Sequence, residues 1–289
     1  MVTDASRDDI VRKVDLVQAL VELGVPRSGL LMVHSSLSSI GNVEGGADTV
    51  VDAFLEVLGP EGTLVVPTFT IPAANDPEFL FDPASTPSNS GAISEAARLR
   101  SGAFRSIHSR HSVAVIGPLA SEIIDPSTIS AWGSDSPIAQ VMDQGGMFLM
   151  LGVRFEYLTA VHVCEIELDV PFRQTRIARR LLRQPDGKIV SFSSQVYPPS
   201  GEDPKMDFNR VGRLMEVAGK VKIGSVGNAI ARFFVGHEVR AMARAAYELD
   251  PNIFVVNNGK PQQLPDGFTV KTSKGYVCVV DPGRIYDGS

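Results

Sequence analysis

The chain of 289 residues is 44% hydrophobic and 21% charged, with 26 Gly and 19 Pro, a near-average composition that excludes collagen-like, coiled-coil and disordered chains. A formal net charge of −6, with no dense Lys/Arg cluster beside aromatics, excludes the basic footprint of a nucleic-acid binder. Two cysteines, Cys164 and Cys278, cannot make a disulfide framework, no signal-peptide core opens the chain, and the longest apolar stretch, Met147 to Val153, is far short of a membrane span. The expectation is a soluble, cytoplasmic, reduced protein.

Over 8–23, Ile10, Val11, Val14, Leu16, Val17, Leu20 and Leu23 recur at helical spacing, and Gly24 and Pro26 end the helix. Leu30–Val33 is an apolar run of the kind buried on both faces of a sheet. It stops at a polar turn, His34 to Gly41. Gly45-Gly46 opens a helix from Ala47 to Leu58, closed by Gly59-Pro60, and Thr63–Val66 is a second buried strand ended by Pro67. This order is a βαβ unit, so the sheet is at least partly parallel.

Residues 71–90, with several prolines, read as a long irregular loop, a feature often functional in compact domains. A helix over 91–100 follows, then a polar loop from Phe104 to Ser112, the strand Val113–Ile116, a loop with the sole tryptophan, Trp132, and the strand Met147–Gly152. From 172 the pattern changes. Thr175–Gln184 and Lys188–Gln195 flank Pro185-Asp186-Gly187, the mark of a hairpin. Its first arm is crowded with Arg173, Arg176, Arg179, Arg180 and Arg183, read as a solvated face in preference to a phosphate patch. Helices are expected over 208–219 and 236–249, and short strands over 251–289. The expected fold is a single interwoven α/β domain over 1–289, with a mixed, partly parallel central sheet flanked by helices and an antiparallel excursion near 172–205.

The sharpest chemical constellation is Thr159-Ala160-Val161-His162-Val163-Cys164-Glu165, just beyond the carboxyl end of a buried strand, where active-site groups gather. On a helix, Thr159, His162 and Glu165 share a face at i, i+3 spacing. A carboxylate beside an imidazole orients it as a general base; a purely stabilising His–Glu pair has the same spacing. Metal ligation by His162, Cys164 and Glu165 is disfavoured, because residue 164 points away from the other two. The Ser- and Gly-rich loop His34-Ser35-Ser36-Leu37, with Gly41, Gly45 and Gly46 beyond it, offers backbone N–H groups to an anion, as any βα turn does. It is neither a GxGxxG nor a P-loop. Arg105 to Ser112, with two arginines and two histidines, suits a phosphate or a pantetheine chain, or is a solvated loop. No GxSxG elbow is present, so a serine hydrolase is disfavoured.

Three stretches together, Leu31 to Val50, Arg105 to Ser112 with Gly117 to Ala120, and Leu149 to Glu165, closely resemble the aminoglycoside 3-N-acetyltransferase family in order and separation. Asp207-Phe208 to Gly227 is similar to its C-terminal helical stretch. The resemblance implies transfer of acetyl from acetyl-CoA to a primary amine, on a fold unrelated to the common GNAT acetyltransferases and with no metal. It implies a CoA arm running past His34, Ser35, Ser36, Leu37, Arg105, Ser106, Ser112 and Val113. By the same resemblance His162 and Glu165 are the catalytic pair, with Thr159 close by; on chemical grounds a hydroxyl such as that of Thr159, or a loop N–H, is the expected partner of the oxyanion. Where aminoglycoside-acetylating relatives often carry Trp-Asp, this chain has Val66-Pro67-Thr68-Phe69-Thr70, and Ser109 replaces a proline. Thr68, Thr70 and Asp207 are the expected acceptor contacts, with Glu44, Asp82, Asp135, Glu156, Glu202 and Asp203 as further candidates for an acidic lining. The alternatives are the same chemistry on a different small amine, or a CoA-binding relative without turnover. Assembly stays open, a homodimer included.

Overall fold

In the computed structural model of the chain, residues 10–71, 73, 76, 78–201 and 205–256 are described, with the backbone of 268–271 and 277–280. The amino-terminal part runs α1 (Lys13–Leu23), β1 (Leu30–Ser35), a single turn α2 (Leu37–Ile40), α3 (Gly46–Leu58) and β2 (Thr63–Pro67). Next come β3 (Leu80–Phe81), α4 (Ala92–Arg98), β4 (Phe104–Arg105), β5 (Val113–Ile116), α5 (Ala120–Ile123), α6 (Pro137–Asp143) and β6 (Met147–Leu151). Then follow α7 (Val161–Glu167), β7 (Arg176–Arg183), β8 (Ile189–Val196), β9 (Lys205–Met206), α8 (Asn209–Val217), β10 (Lys222–Val226), β11 (Ala229–Val235), α9 (Gly236–Leu249), β12 (Val255–Val256), β13 (Phe268–Lys271) and β14 (Val277–Val280).

Seven strands form the central sheet in the order β10-β11-β6-β1-β2-β5-β4. β1 pairs in parallel with β2 on one side and β6 on the other, while β5, β4, β11 and β10 extend the edges antiparallel. The alternation of side chains splits each central strand between two cores. Leu31 and Val33 of β1 and Leu149 and Leu151 of β6 pack with Leu16, Leu20, Phe54 and Ile93 from α1, α3 and α4. Met32, Phe148 and Met150 face the other way, against Ile138, Val163, Leu214 and Met242 from α6 to α9. Continuous apolar runs were therefore the right signal for these strands, since both faces are covered.

Two of the boundaries that differ from the sequence pattern have a cause in strand-like pairing. The first helix starts at Lys13, because Val11 is extended: its N–H donates to the Asn42 carbonyl at 2.8 Å and its carbonyl accepts from Glu44 N at 2.9 Å. β1 does not stop before His34 but continues through Ser35, held by pairing of His34 with Met150 and Ser35 with Leu151. The hairpin is as expected, β7 and β8 pairing antiparallel from Arg176–Val196 to Arg183–Ile189, and β3 adds a parallel third strand from within the long loop 71–90. Of the strands expected over 251–289, β12 pairs with β9 and β13 with β14; residues 1–9, 202–204 and the remainder of 257–289 lie outside the described residues. Among the described residues, no helix is long and apolar enough to cross a membrane.

Candidate active site

β1 is the point where neighbours lie on both sides in parallel, and the carboxyl ends of β1 and β6 therefore open a crevice between their following loops. Ser36 N donates to the Leu151 carbonyl at 3.0 Å, so the turn after β1 and the loop after β6 start from a shared point. Gly152 has φ +68 and lies so close to Ser39 that a Cβ there would meet the Ser39 Cβ at 2.4 Å; only glycine allows this approach. Ser39 Oγ lies 2.9 Å from the Gly152 carbonyl and closes the junction.

Two cavities meet here. The larger, about 1090 Å³, is lined by His34, Ser35, Ser36 and Leu37 and by Phe69, Gly91, Tyr157 and Thr159. The smaller, about 590 Å³, is lined by His111, Trp132, Arg173, Tyr197 and Met206 on the side of the β7–β8 hairpin. His162, Glu156 and Phe208 belong to the walls of both.

His162 sits in the first turn of α7, and one turn on, Glu165 is buried beneath it with 1% of its side chain exposed. His162 Nδ1 lies 2.6 Å from Glu165 Oε2. A carboxylate accepts, so Nδ1 carries a proton, and in the neutral ring the lone pair is then on Nε2. The ring is held between Trp132, 4.7 Å away between centroids, and Phe208, edge-on at 4.9 Å. Arg173 Nε approaches the same Glu165 oxygen at 3.3 Å, an ion-pair distance without hydrogen-bond alignment, and Glu165 Oε1 is buried with no partner. The pair is thus a buried carboxylate with an arginine behind it and an imidazole in front.

Thr159 precedes α7; its carbonyl accepts from His162 N at 3.0 Å, but its hydroxyl does not meet His162. Thr159 Oγ1 lies 2.8 Å from His34 Nε2 at the end of β1. Burial holds the His34 imidazole neutral, lowering its pKa to about 4.

The second expected CoA loop is located differently. Arg105, Ser106, Ser112 and Val113 line neither cavity. The Arg105 guanidinium donates to the carbonyls of Thr68 at 2.8 Å and Thr86 at 2.5 Å, and so ties the loop after β3 to β2. Ser106 Oγ accepts from Val113 N at 3.0 Å, and Ser112 Oγ donates to the Thr68 carbonyl at 2.8 Å. These four residues hold the loop together, while Ser109, Arg110 and His111 of the same loop line the smaller cavity.

Among the expected acceptor contacts, Thr68 and Thr70 are fully buried and line neither cavity, because the chain beyond β2 alternates: Pro67, Phe69 and Ile71 face the larger cavity. The Thr70 hydroxyl donates to the Ser109 carbonyl. Asp207 lies between Met206 and Phe208, which reach the cavities, but is itself outside both linings. Glu156 is the acidic candidate that does line them; Asp82 pairs with Arg183 at 3.5 Å, Glu44 and Asp135 are elsewhere, and Glu202 and Asp203 lie outside the described residues. Trp132 and Phe208 were not singled out by pattern, and nothing in the sequence signals that they meet His162; Arg173, expected with the hairpin's other arginines on a solvated face, is instead 9% exposed and turned to Glu165. Among the described residues, no group of three or more His, Cys, Asp or Glu is arranged to hold a metal.

Residues 32–248 match the sequence profile of the aminoglycoside 3-N-acetyltransferases. The chain belongs to this family. It is 32% identical over 247 residues to aminoglycoside N(3)-acetyltransferase IV of Salmonella sp, an alignment covering 84% of this chain and 90% of that one. Aminoglycoside N(3)-acetyltransferase VII of Streptomyces paromomycinus is 30% identical over 262 residues, covering 80% and 90%. The crystal structure of aminoglycoside acetyltransferase AAC(3)-IVa as apoenzyme matches with a TM-score of 0.73 at 30% identity, over 86% of this chain and 93% of that one. A His-to-Ala mutant of that enzyme in complex with a gentamicin gives 0.74 at 30% identity, with the same coverage. Membership in the aminoglycoside 3-N-acetyltransferase family makes the chain an acyltransferase by class, and the matched span 32–248 contains His34, Thr159, His162 and Glu165.

Proposed function

We propose that this chain transfers the acetyl group of acetyl-CoA to an amino group of an aminoglycoside, with His162 as general base and no covalent acyl-enzyme. The observation that carries the reading is the position of His162 in the wall common to both cavities, with Nδ1 committed to Glu165 and Nε2 left to accept a proton. A two-substrate reaction needs such a base between two binding spaces.

The larger cavity suits the amide-bearing pantetheine arm of CoA. Its wall includes the small polar residues Ser35, Ser36 and Ser38. The amine enters from the smaller cavity, with Glu156 as the carboxylate at the boundary to meet an ammonium. Acetyl-CoA supplies the acetyl group on a thioester. An ammonium has no lone pair, so His162 Nε2 first takes a proton; the imidazolium is balanced by Glu165, itself backed by Arg173. As nitrogen bonds to the thioester carbon, negative charge builds on the carbonyl oxygen, and the Thr159 hydroxyl donates to it. The C–S bond then breaks; the CoA thiolate takes the proton held by the imidazolium, the freed Nε2 takes the surplus proton from the new amide nitrogen, and that last proton passes to solvent.

The test is release of free thiol from acetyl-CoA with gentamicin and with simpler amines, run beside His162→Ala. The expected result is release with the aminoglycoside, lowered in the variant by about 10²–10⁴. Release only with other amines keeps the base and replaces the acceptor. Full turnover by a folded His162→Ala protein removes the base assignment.

A further inference from the structure

We propose that His34 is a positioning residue which, by donating a hydrogen bond to Thr159, turns the Thr159 hydroxyl proton into the larger cavity. The inference rests on the acetyl-transfer reading for its catalytic meaning, but its structural part stands by itself. His34 Nε2 and Thr159 Oγ1 are 2.8 Å apart, and that distance alone does not say which one donates. Proton accounting does.

His34 is 5% exposed, and its Nδ1 is buried with no partner. If Nδ1 carried the proton, a buried N–H would go unpaired; if Nε2 carries it, only a lone pair does. Orphaned buried N–H groups are rare and costly, under-satisfied acceptors less so. A doubly protonated ring would bury a cation with the orphan N–H as well, and burial disfavours it. Hence Nε2–H donates to Thr159 Oγ1. A hydroxyl has one proton. With its oxygen occupied as acceptor on the His34 side, the Thr159 proton is directed elsewhere, and Thr159 lines the larger cavity beside His162.

His108 shows the same accounting with every partner present. Its Nδ1 accepts from Arg110 N at 3.2 Å and His111 N at 3.0 Å, and Nε2 then donates to the Gln195 carbonyl at 3.1 Å. The difference at His34 is that the acceptor is a hydroxyl with a proton of its own to hand on.

The assignment explains why a histidine stands next to the last residue of β1. Pairing with β6 continues through His34–Met150 and Ser35–Leu151, which fixes the ring from a strand and not from a loop. A group that must orient another to within a few tenths of an ångström belongs on a rigid element.

Two measurements test it. In protein labelled with ¹⁵N-histidine, the ring shifts of His34 should be those of a neutral Nε2–H tautomer near pH 7; an Nδ1–H ring or an imidazolium overturns the proposal, whatever the enzyme's activity. In turnover with acetyl-CoA and gentamicin, Thr159→Val should lower kcat by about 10²-fold, the usual effect of one lost oxyanion donor. His34→Leu should lower it roughly tenfold with little change in either KM, as expected for one lost orienting hydrogen bond. His34→Gln, whose side-chain N–H₂ can donate from the same direction, should recover most of that. In the Thr159→Val background His34→Leu should cost nothing more, whereas full additivity of the two losses would mean that His34 does not act through Thr159. Failure of the acetyl-transfer reading looks different: wild type would release no thiol with any amine, while the His34 tautomer would still be read directly.

Discussion

At the scale of single residues, the site is an exercise in proton accounting. Glu165 holds His162 Nδ1 at 2.6 Å, and both contacts of that carboxylate fall on one oxygen, Oε2, with Arg173 at 3.3 Å. Glu165→Gln keeps the shape and removes the charge that balances an imidazolium; the expected result is a loss in kcat of roughly 10²-fold or more, with the fold retained by circular dichroism. Arg173 is 9% exposed and Glu165 1%. Arg173→Met leaves the carboxylate buried without its cation, so denaturant titration should find the protein destabilised by about 3 kcal/mol. An unchanged midpoint would mean that Arg173 is not what makes Glu165 tolerable in the interior. The pairing of His162 with Glu165 was legible as an i, i+3 spacing. Arg173 was not, because the base of a hairpin carries no periodic mark of what it packs on.

At the scale of elements, the loop from Gly152 to Ala160 is fixed by packing at both ends. Its 3₁₀ turn, Phe155–Tyr157, rests on α8, where Gly212 lies under the Phe155 ring. A Cβ on Gly212 would come within 2.0 Å of that ring. Gly→Ala inside a helix ordinarily stabilises by about 1 kcal/mol. Here the sign should reverse: Gly212→Ala should lower the melting temperature and raise KM, because the turn that leads to Glu156 and Thr159 must shift. A melting temperature above wild type would show that Phe155 swings away freely. Arg105 illustrates the opposite lesson for motifs. Its loop resembles a ligand-binding stretch, yet the guanidinium is spent on the carbonyls of Thr68 and Thr86, and burial lowers its pKa only to about 10, so it stays a structural cation.

At the scale of the whole molecule, buried neutral histidines set the response to acid. Burial lowers both His34 and His108 to about 4. The unfolded chain takes up these protons near pH 6.5 and the folded chain only near 4, so the unfolded state binds more protons throughout that interval. Stability is therefore fully present above about pH 6.5 and drains as the pH falls towards 4, each group contributing roughly 1.4 kcal/mol per pH unit. Melting temperatures measured between pH 6.5 and 5, above most carboxylate titration, should fall steadily. The slope should be shallower by about one proton in His34→Gln. A flat profile would show that these rings are hydrated in the native state.

Much of this molecule is dictated locally. The double-sided apolar runs of β1, β2 and β6, the capping Gly24, the Pro185-Asp186-Gly187 turn and the His162–Glu165 spacing each depend on residues a few positions apart, and local periodicity and turn chemistry are properties of a sequence alone. What only the tertiary structure decided involves partners far apart in the chain. Thr159 meets His34, 125 residues away, and not His162; Thr68 and Thr70 turn from the cavity while Phe69 enters it; Trp132 and Phe208 close on one imidazole. Those contacts follow from strand register and from which face of an element is covered, and both are settled by the packing of the whole chain.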